Sequence, residues 1–369
     1  MLYFFYLICS LVLFVYSYGF LDFNLTLTQN PLFLNLVSPL QHLVYFNRPH
    51  SAQVFLLSSC ALFVLYCVAV SLCHFKFFPW RFFLLIIVVL TLAYPMLSYD
   101  VFNYMFHTKI LWFYHANPHL HAPLEYTGDL WLRFMRWVHT PSAYGPVFTF
   151  IESPAYLLGL GKFVPVLYLM KITMSLFFVW CIYLIGKIGE AMGYSKSAII
   201  KSQILIALNP FLLLEVVVNG HNDAVMIALF LLALLYSIRG RVVPSMASFL
   251  ASVGVKYVTA LALPIYLVKD PKRKILLSFI ILLLPVLLAL YRFQPWYLVW
   301  AIIPAALLDF NWTRLWIISA SLAGLIFYTP YIFTGFWLNS LPFVATIVYL
   351  PILTSGSIWA IKKSWVKIK

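Results

Sequence analysis

Acidic charge is the scarcest feature of this chain. Asp and Glu number ten in 369 residues, and the four charged residue types together make up 9%. A water-facing globule of this size needs a far more charged surface, so a soluble class is excluded. Phosphate cradles are missing too: neither G-x-G-x-x-G nor a P-loop occurs, which leaves no soluble nucleotide fold to supply an activated donor. The five cysteines (Cys9, Cys60, Cys67, Cys73, Cys181) all lie in apolar segments, without a disulfide framework or metal-ligand spacing.

What the chain has in excess is apolar surface. It is 64% hydrophobic and 19% aromatic, with a mean hydropathy of +0.96. Runs of roughly 17 to 25 apolar residues recur, long enough to cross hydrocarbon as helices. The reading is an all-α polytopic membrane protein, a single integral-membrane unit over 1–369. The first run, YFFYLICSLVLFVYSYGF, lacks a basic leader and a small-residue cleavage site, so it is expected to be a retained span. Twelve spans are predicted (range 10–13): 2–18, 52–74, 81–97, 165–186, 202–218, 223–238, 242–255, 257–268, 275–291, 295–309, 315–333 and 337–359. The segment 147–162 is ambiguous between a further span and a helix lying against the membrane.

The net charge of +14 does not point to nucleic acid, because the basic residues form short clusters between apolar runs and no nucleic-acid motif accompanies them. With the N-terminus in the cytoplasm, 16 of the 24 Lys and Arg fall in inward loops and seven of the ten acids face out. Both termini are then cytoplasmic. The longest non-spanning region, about 99–164, becomes an extracytoplasmic loop carrying short helices. If that face were luminal, Asn24-Leu25-Thr26 would be a glycosylation acceptor.

The irregular polar sequences converge on the outer face. In SYDVFNYMFHTK, Asp100 follows a 17-residue apolar run. It reads either as a cap for the next helix or as a general base at the membrane surface. His107 lies seven residues later, on roughly the same helix face, and it or Lys109 is placed to approach a phosphate. HANPHLHAP holds His115, His119 and His121, where a shaped loop is favoured over zinc because no cysteine or H-E-x-x-H assists. In NGHND, Asn219, His221, Asn222 and Asp223 sit between VVV and AVMIALF, and more polar groups gather there than a turn requires. Lys256 and Arg292 either snorkel or clamp a lipid phosphate. Gln294 and Trp296 of QPWY read as a sugar platform, and Tyr297 as part of an interfacial belt.

SYDVFNYMFHTKILWFYHANPHLHAP, PSAYGPVF, ALNPFLLLEVVVNGHNDAVM, GVKYVTALALP and QPWYLVW, in that order, resemble the multi-spanning glycosyltransferases of the GT-C superfamily. The resemblance is strongest to the polyprenol-phosphate-mannose-dependent alpha-mannosyltransferases of bacteria and archaea, and it runs from about residue 80 to 310. It implies a GT-C-like bundle in the plasma (inner) membrane whose aspartate, here Asp100, acts as catalytic base. It implies a polyprenyl-phosphate sugar as donor, a glycan or glycolipid as acceptor, and inversion at the anomeric carbon. Tyr144-Gly145-Pro146 and the NGHND sequence would border the cavity, and Lys256 matches the lysine of a G-x-K-Y element. PHLHAP departs from the usual loop, which leaves the sugar and the acceptor open. The expected assignment is Asp100 as base, with Lys256, Arg292 and His107 on the donor phosphate. Tyr144, Asn219, His221, Asn222, Asp223, Gln294 and Trp296 would contact substrate. A divalent cation, Mg or Mn, is an optional cofactor, with no residue singled out for it. A transporter or flippase of lipid-linked sugars is the competing class.

Overall fold

The computed structural model describes residues 1–22, 30–72 and 76–368, which are helical with no strand among them. Cys73 and Asn24-Leu25-Thr26 therefore lie outside the described residues, and the other four cysteines are free thiols. The chain opens with α1 (Leu2–Ser17), α2 (Pro31–Val44), α3 (Arg48–Leu72) and α4 (Trp80–Thr91). α5 (Asp100–Trp112) and α6 (Pro146–Leu158) flank a loop region with short 3-10 turns, and α7 (Phe163–Ala191) follows. Next come α8 (Lys196–Ala207), α9 (Pro210–Leu212), α10 (Asp223–Ile238) and α11 (Val242–Val255). α12 (Pro271–Leu288), α13 (Leu298–Ala305), α14 (Asn311–Phe327), α15 (Thr329–Thr334) and α16 (Leu341–Ile368) complete it.

Each of the twelve expected spans is helical over much of its length, but they are not twelve ordinary crossings. Among the described residues, five helices are long and apolar enough to cross a membrane: Leu2–Phe20, Arg48–Ser71, Phe163–Ala191, Asn311–Thr334 and Leu341–Ile358. A sixth crossing is available if α8 and Pro210–Val218 count as one span bent by 46°. The apolar helices α4, α10, α11 and α13 are shorter, and Tyr257–Leu267 is a 3-10 helix. α6 settles the shape of 147–162. Its 13 residues reach about 20 Å, short of a hydrocarbon core of about 30 Å.

The breaks have local causes. α4 ends at Thr91, not 97, because Pro95 has no N–H to continue a helix and keeps Tyr94 out of the α conformation. The stretch 93–98 is nevertheless buried, and side chains meet its backbone. The Lys171 ammonium donates to the Ala93 carbonyl, Ser17 Oγ accepts from Tyr94 N (2.9 Å), and Asn219 Oδ1 accepts from Leu97 N (3.2 Å). At the bend before Pro210, Tyr66 and Tyr6 donate their hydroxyls to the carbonyls of Leu205 (2.9 Å) and Leu208 (2.7 Å). Asn209 caps the restart through Phe211 N (3.1 Å) and donates to Ser321 Oγ (2.7 Å). Non-helical backbone at this depth persists because protein groups satisfy it.

α10 is the central helix, buried along most of its length between α7 and α11. The outside is apolar: Phe4, Leu57, Val64, Val88 and Leu176 are all large and exposed, as lipid-facing residues would be. α7, 29 residues and roughly 43 Å long, separates two chemically different ends. At its start, Phe163 stacks on Phe102 (5.8 Å), two residues beyond Asp100. At its other end a cavity gathers Lys76, Lys187 and Lys196 with Tyr194, and an adjoining one joins Tyr194 to Lys272 and Arg273.

Candidate active site

Asp100 is the first residue of α5. The N-cap position is Tyr99, so Asp100 stands inside the first turn and not at the cap. The carboxylate instead accepts from Trp137 Nε1 (3.2 Å) and lies 3.8 Å from His221 Nδ1. It is 6% exposed. Burial pushes its pKa up to about 6; the Lys256 ammonium and the Trp137 N–H pull it down, and Asp223 adds to the rise.

Two cavities meet at this carboxylate. One, of about 550 Å³, is lined by Asn103, His107, Tyr144, Lys256, Arg292 and Tyr297 among others. The second, of about 390 Å³, is lined by Tyr99, Arg136, Tyr331, Trp337 and Asn339 among others. Asp100, Trp137, Gln294 and Trp296 belong to both. The carboxylate thus stands on a shared wall, where a group from either side can reach it.

The larger cavity holds Lys256 and Arg292. Lys256 Nζ pairs with Asp223 Oδ1 at 2.7 Å, and Trp300 Nε1 donates to the same oxygen. This leaves two ammonium protons for the cavity, toward which Lys256 is 17% exposed. Arg292 forms no ion pair among the described residues and supplies the uncompensated charge. His107 is buried, which holds its pKa down at about 3. It is a neutral ring, and neither of its nitrogens has a hydrogen-bond partner within the protein. Asn103 Oδ1 is likewise unpartnered. Tyr144 is fixed by a close backbone contact: Gly145 N donates to Val255 O (3.0 Å), and a Cβ on Gly145 would lie 2.1 Å from the Gly254 carbonyl oxygen. Only glycine lets α6 begin so near the end of α11, beside Lys256.

The smaller cavity is aromatic. Tyr331 stacks on Trp337 (4.3 Å, 13°), and the Arg136 guanidinium lies over the Tyr99 ring at 4.7 Å. Aromatic faces with one planar cation suit a sugar chain better than a lipid tail.

Of the eleven residues expected at the site, seven line a cavity: Asp100, His107, Tyr144, Lys256, Arg292, Gln294 and Trp296. Asn219, His221, Asn222 and Asp223 line neither cavity. Asn219 is spent on Leu97 N and Glu215, Asp223 on Lys256 and Trp300, and His221 stacks behind Trp296 (4.3 Å, 25°). Gly220 (φ +75°) makes the turn that places them there. Lys109 is also drawn away, pairing with Asp129 at 2.5 Å and packing over Trp131. The loop histidines disperse: His119 meets Thr149 (3.1 Å) and His121 pairs with Glu125 (2.7 Å). No group of three His, Cys, Asp or Glu able to hold a metal forms among the described residues, so no side chain is assigned to a divalent cation.

Sequence reading missed Trp137, Arg136, Tyr331 and Trp337, which carry no local pattern. Glu215 and Lys171 did carry a signal, since an ionisable residue inside an apolar run is costly and rarely idle.

Fold and site together define the class: a helical protein with several apolar helices of membrane-crossing length and a polar site at one end. The chain matches the alpha-(1->6)-mannopyranosyltransferase N-terminal domain family over residues 25–269, more than half its length, and it belongs to that family. It is accordingly a mannosyltransferase, whose substrates are a sugar donor and a glycan acceptor. No curated protein and no solved structure gives a significant match. The matched stretch contains Asp100, His107, Arg136, Trp137 and Lys256, whereas Arg292, Gln294, Trp296, Tyr331 and Trp337 lie beyond it.

Proposed function

We propose that this mannosyltransferase takes mannose from a polyprenyl-phosphate donor and transfers it, with inversion, to a glycan or lipid-linked glycan acceptor on the extracytoplasmic face. The observation that carries the reading is the position of Asp100 on the wall common to a cationic and an aromatic cavity. The cationic cavity takes the donor. Lys256 and Arg292 face its phosphate, and the neutral His107 ring offers one hydrogen bond without charge. The aromatic cavity takes the acceptor, its sugar ring on Tyr331 and Trp337 and a polar group at Arg136.

Asp100 removes the acceptor hydroxyl proton as that oxygen attacks the anomeric carbon from the acceptor side. The new C–O bond forms while the bond to phosphate breaks, and the electron pair leaves on the polyprenyl phosphate. That leaving group is already ionised and needs no general acid. Alignment between two fixed cavities and charge stabilisation of the phosphate would supply most of the barrier reduction.

The proposed orientation rests on the two ends of α7. The Lys76, Lys187, Lys196, Lys272 and Arg273 cluster lies at the end away from Asp100. Tyr3 stacks on Phe82 (4.3 Å), next to Trp80 of that cluster, which puts the N-terminus at the same end. Basic residues mark the cytoplasmic side, so the site faces away from the cytoplasm in a plasma (inner) membrane. A transporter would hold its polar groups near the middle of the bundle, and these lie at one end.

The test is transfer in reconstituted membranes from radiolabelled polyprenyl-phosphate mannose to candidate glycans. Asp100→Asn should bind donor and lose transfer by at least about 100-fold. Near-normal transfer by a folded Asp100→Asn enzyme would remove Asp100 from this role.

A further inference from the structure

The buried carboxylate Glu215 has no part in the chemistry above. Glu215 lies in the π-helical turn Leu213–Val218 and is fully buried. Such turns insert one residue into a helix and re-aim its side chains, often at functional sites. Tyr328 donates its hydroxyl to Oε1, and Asn219 Nδ2 approaches Oε2 at 3.5 Å. Oε2 also lies 3.4 Å from His221 Nε2, while His221 Nδ1 lies 3.8 Å from Asp100 Oδ2. The imidazole is thus set between two carboxylates. Its orientation is fixed by the stack on Trp296 and by its backbone N–H, which donates to the Glu215 carbonyl (3.2 Å). Neither ring nitrogen has a hydrogen-bond partner within the protein.

The direction of the chain of protons follows from what each end receives. Tyr328 already donates to Oε1, and Oε2, 3.4 Å from Nε2, is the Glu215 oxygen that faces the ring and can accept an Nε2–H. The other nitrogen, Nδ1, is then a bare lone pair facing Asp100. A lone pair opposes an ionised carboxylate and welcomes a protonated one, which is the form Asp100 takes when it has done its work as a base.

We propose that Glu215 and His221 are positioning residues for the catalytic base: Glu215 holds the Nε2–H tautomer, and the bare Nδ1 accepts a hydrogen bond from Asp100 once Asp100 has taken the acceptor's proton. The proposal rests on Asp100 being the base of mannosyl transfer. No proton is lost from the balance: it leaves the acceptor oxygen, resides on Asp100 Oδ2, and is shared with Nδ1. The other titratable groups facing Asp100 are Lys256, Asp223, Tyr104, Tyr144, Tyr297 and Tyr328. None of them forms a hydrogen bond with the Asp100 carboxylate, whose one hydrogen-bond donor among the described residues is Trp137.

The test separates kcat from KM in full-length enzyme reconstituted with polyprenyl-phosphate mannose and an acceptor glycan. His221→Phe keeps a ring on Trp296 but has no nitrogen. It should lower kcat by about 30-fold or more, with donor KM within about twofold. His221→Asn places an amide oxygen on the same Cγ that carries Nδ1, and it should recover most of that loss. Glu215→Gln keeps an acceptor for Nε2–H and should stay within about threefold of wild type, whereas Glu215→Leu should fall with His221→Phe. This second pair serves if His221→Phe does not fold, as judged by binding of labelled donor in detergent. The proposal is overturned if His221→Phe or Glu215→Leu keeps its kcat, or if His221→Asn is no better than His221→Phe. Asp100→Asn run alongside separates the two failures. Transfer lost in Asp100→Asn and kept in His221→Phe sinks only the positioning pair. Transfer kept in Asp100→Asn sinks the base assignment and this proposal with it.

Discussion

Asp100→Asn keeps the shape of the side chain and an oxygen for Trp137, and removes a charge that the fold holds at a cost. The folded protein raises the carboxyl from 3.8 to about 6, chiefly by burial. A shift of roughly two units corresponds to about 3 kcal/mol between the protonated and ionised states. The sign follows from linkage. Because the folded value lies above the unfolded one, the native state binds the proton more tightly. The penalty is absent below about pH 4, grows as pH rises through about 6, and is complete at neutral pH. Asp100→Asn should therefore be more stable than wild type by about 3 kcal/mol at pH 7.5 and nearly equal to it at pH 4. Thermal or chaotrope unfolding in detergent at the two pH values measures this. The same shift predicts that wild-type kcat/KM falls about tenfold per unit below pH 6, since only the ionised base accepts a proton. Either of two results would refute the reasoning: a less stable variant at pH 7.5, or a stability difference that does not change with pH. Gain of stability with loss of transfer is the signature of a group strained for function.

Other perturbations separate the parts of the site. Lys256→Met leaves the fully buried Asp223 with Trp300 alone and should destabilise the protein by about 3 kcal/mol. Adding Asp223→Asn should restore the melting temperature without restoring donor affinity, and recovery of both would place the pair outside donor binding. Gly145→Ala drives a Cβ against the Gly254 carbonyl and should cost about 1–3 kcal/mol. It should also raise donor KM by displacing Tyr144, so an unchanged melting curve would contradict the close approach. Arg136→Ala should raise acceptor KM about tenfold, the loss of a charged hydrogen bond, and leave donor KM alone. A change confined to the donor would exchange the roles of the two cavities.

Much of the architecture was legible because its causes are local. Apolar run length and Lys/Arg clusters depend on neighbours in sequence, so the hydrophobic segments could be placed on stretches that are helical over much of their length. Their continuity could not. Whether 81–97 is one helix depends on Pro95 and on Lys171, Ser17 and Asn219, which come from three other elements. The site divides in the same way. Asp100, Lys256, Arg292, Gln294 and Trp296 stand at the boundaries of apolar runs, and all reach a cavity. NGHND was equally conspicuous but turned its side chains inward, because the Gly220 turn and the backbone needs of Leu97 decided their direction. Trp137 and Trp337 became site residues only through tertiary placement, since aromatics are common throughout this chain.

Two kinds of buried polar group can be told apart by their partners. Lys171, Asn209, Tyr6 and Tyr66 each satisfy a backbone group freed where a helix breaks. Their presence follows from the rule that irregular backbone persists in such a protein only where other protein groups cover it. Removing any one of them should act on folding, through an unsatisfied amide or carbonyl. Asp100, Glu215, His221, Asp223 and Lys256 instead face one another or a cavity. Ionisable groups so arranged are expensive, and hydrophobic replacements of the same volume would often be as stable. On the proposed mechanism their placement serves chemistry at the Asp100 wall, beyond the needs of the bundle. Glu215 falls on the functional side by this criterion, although it lies in a span and touches neither cavity.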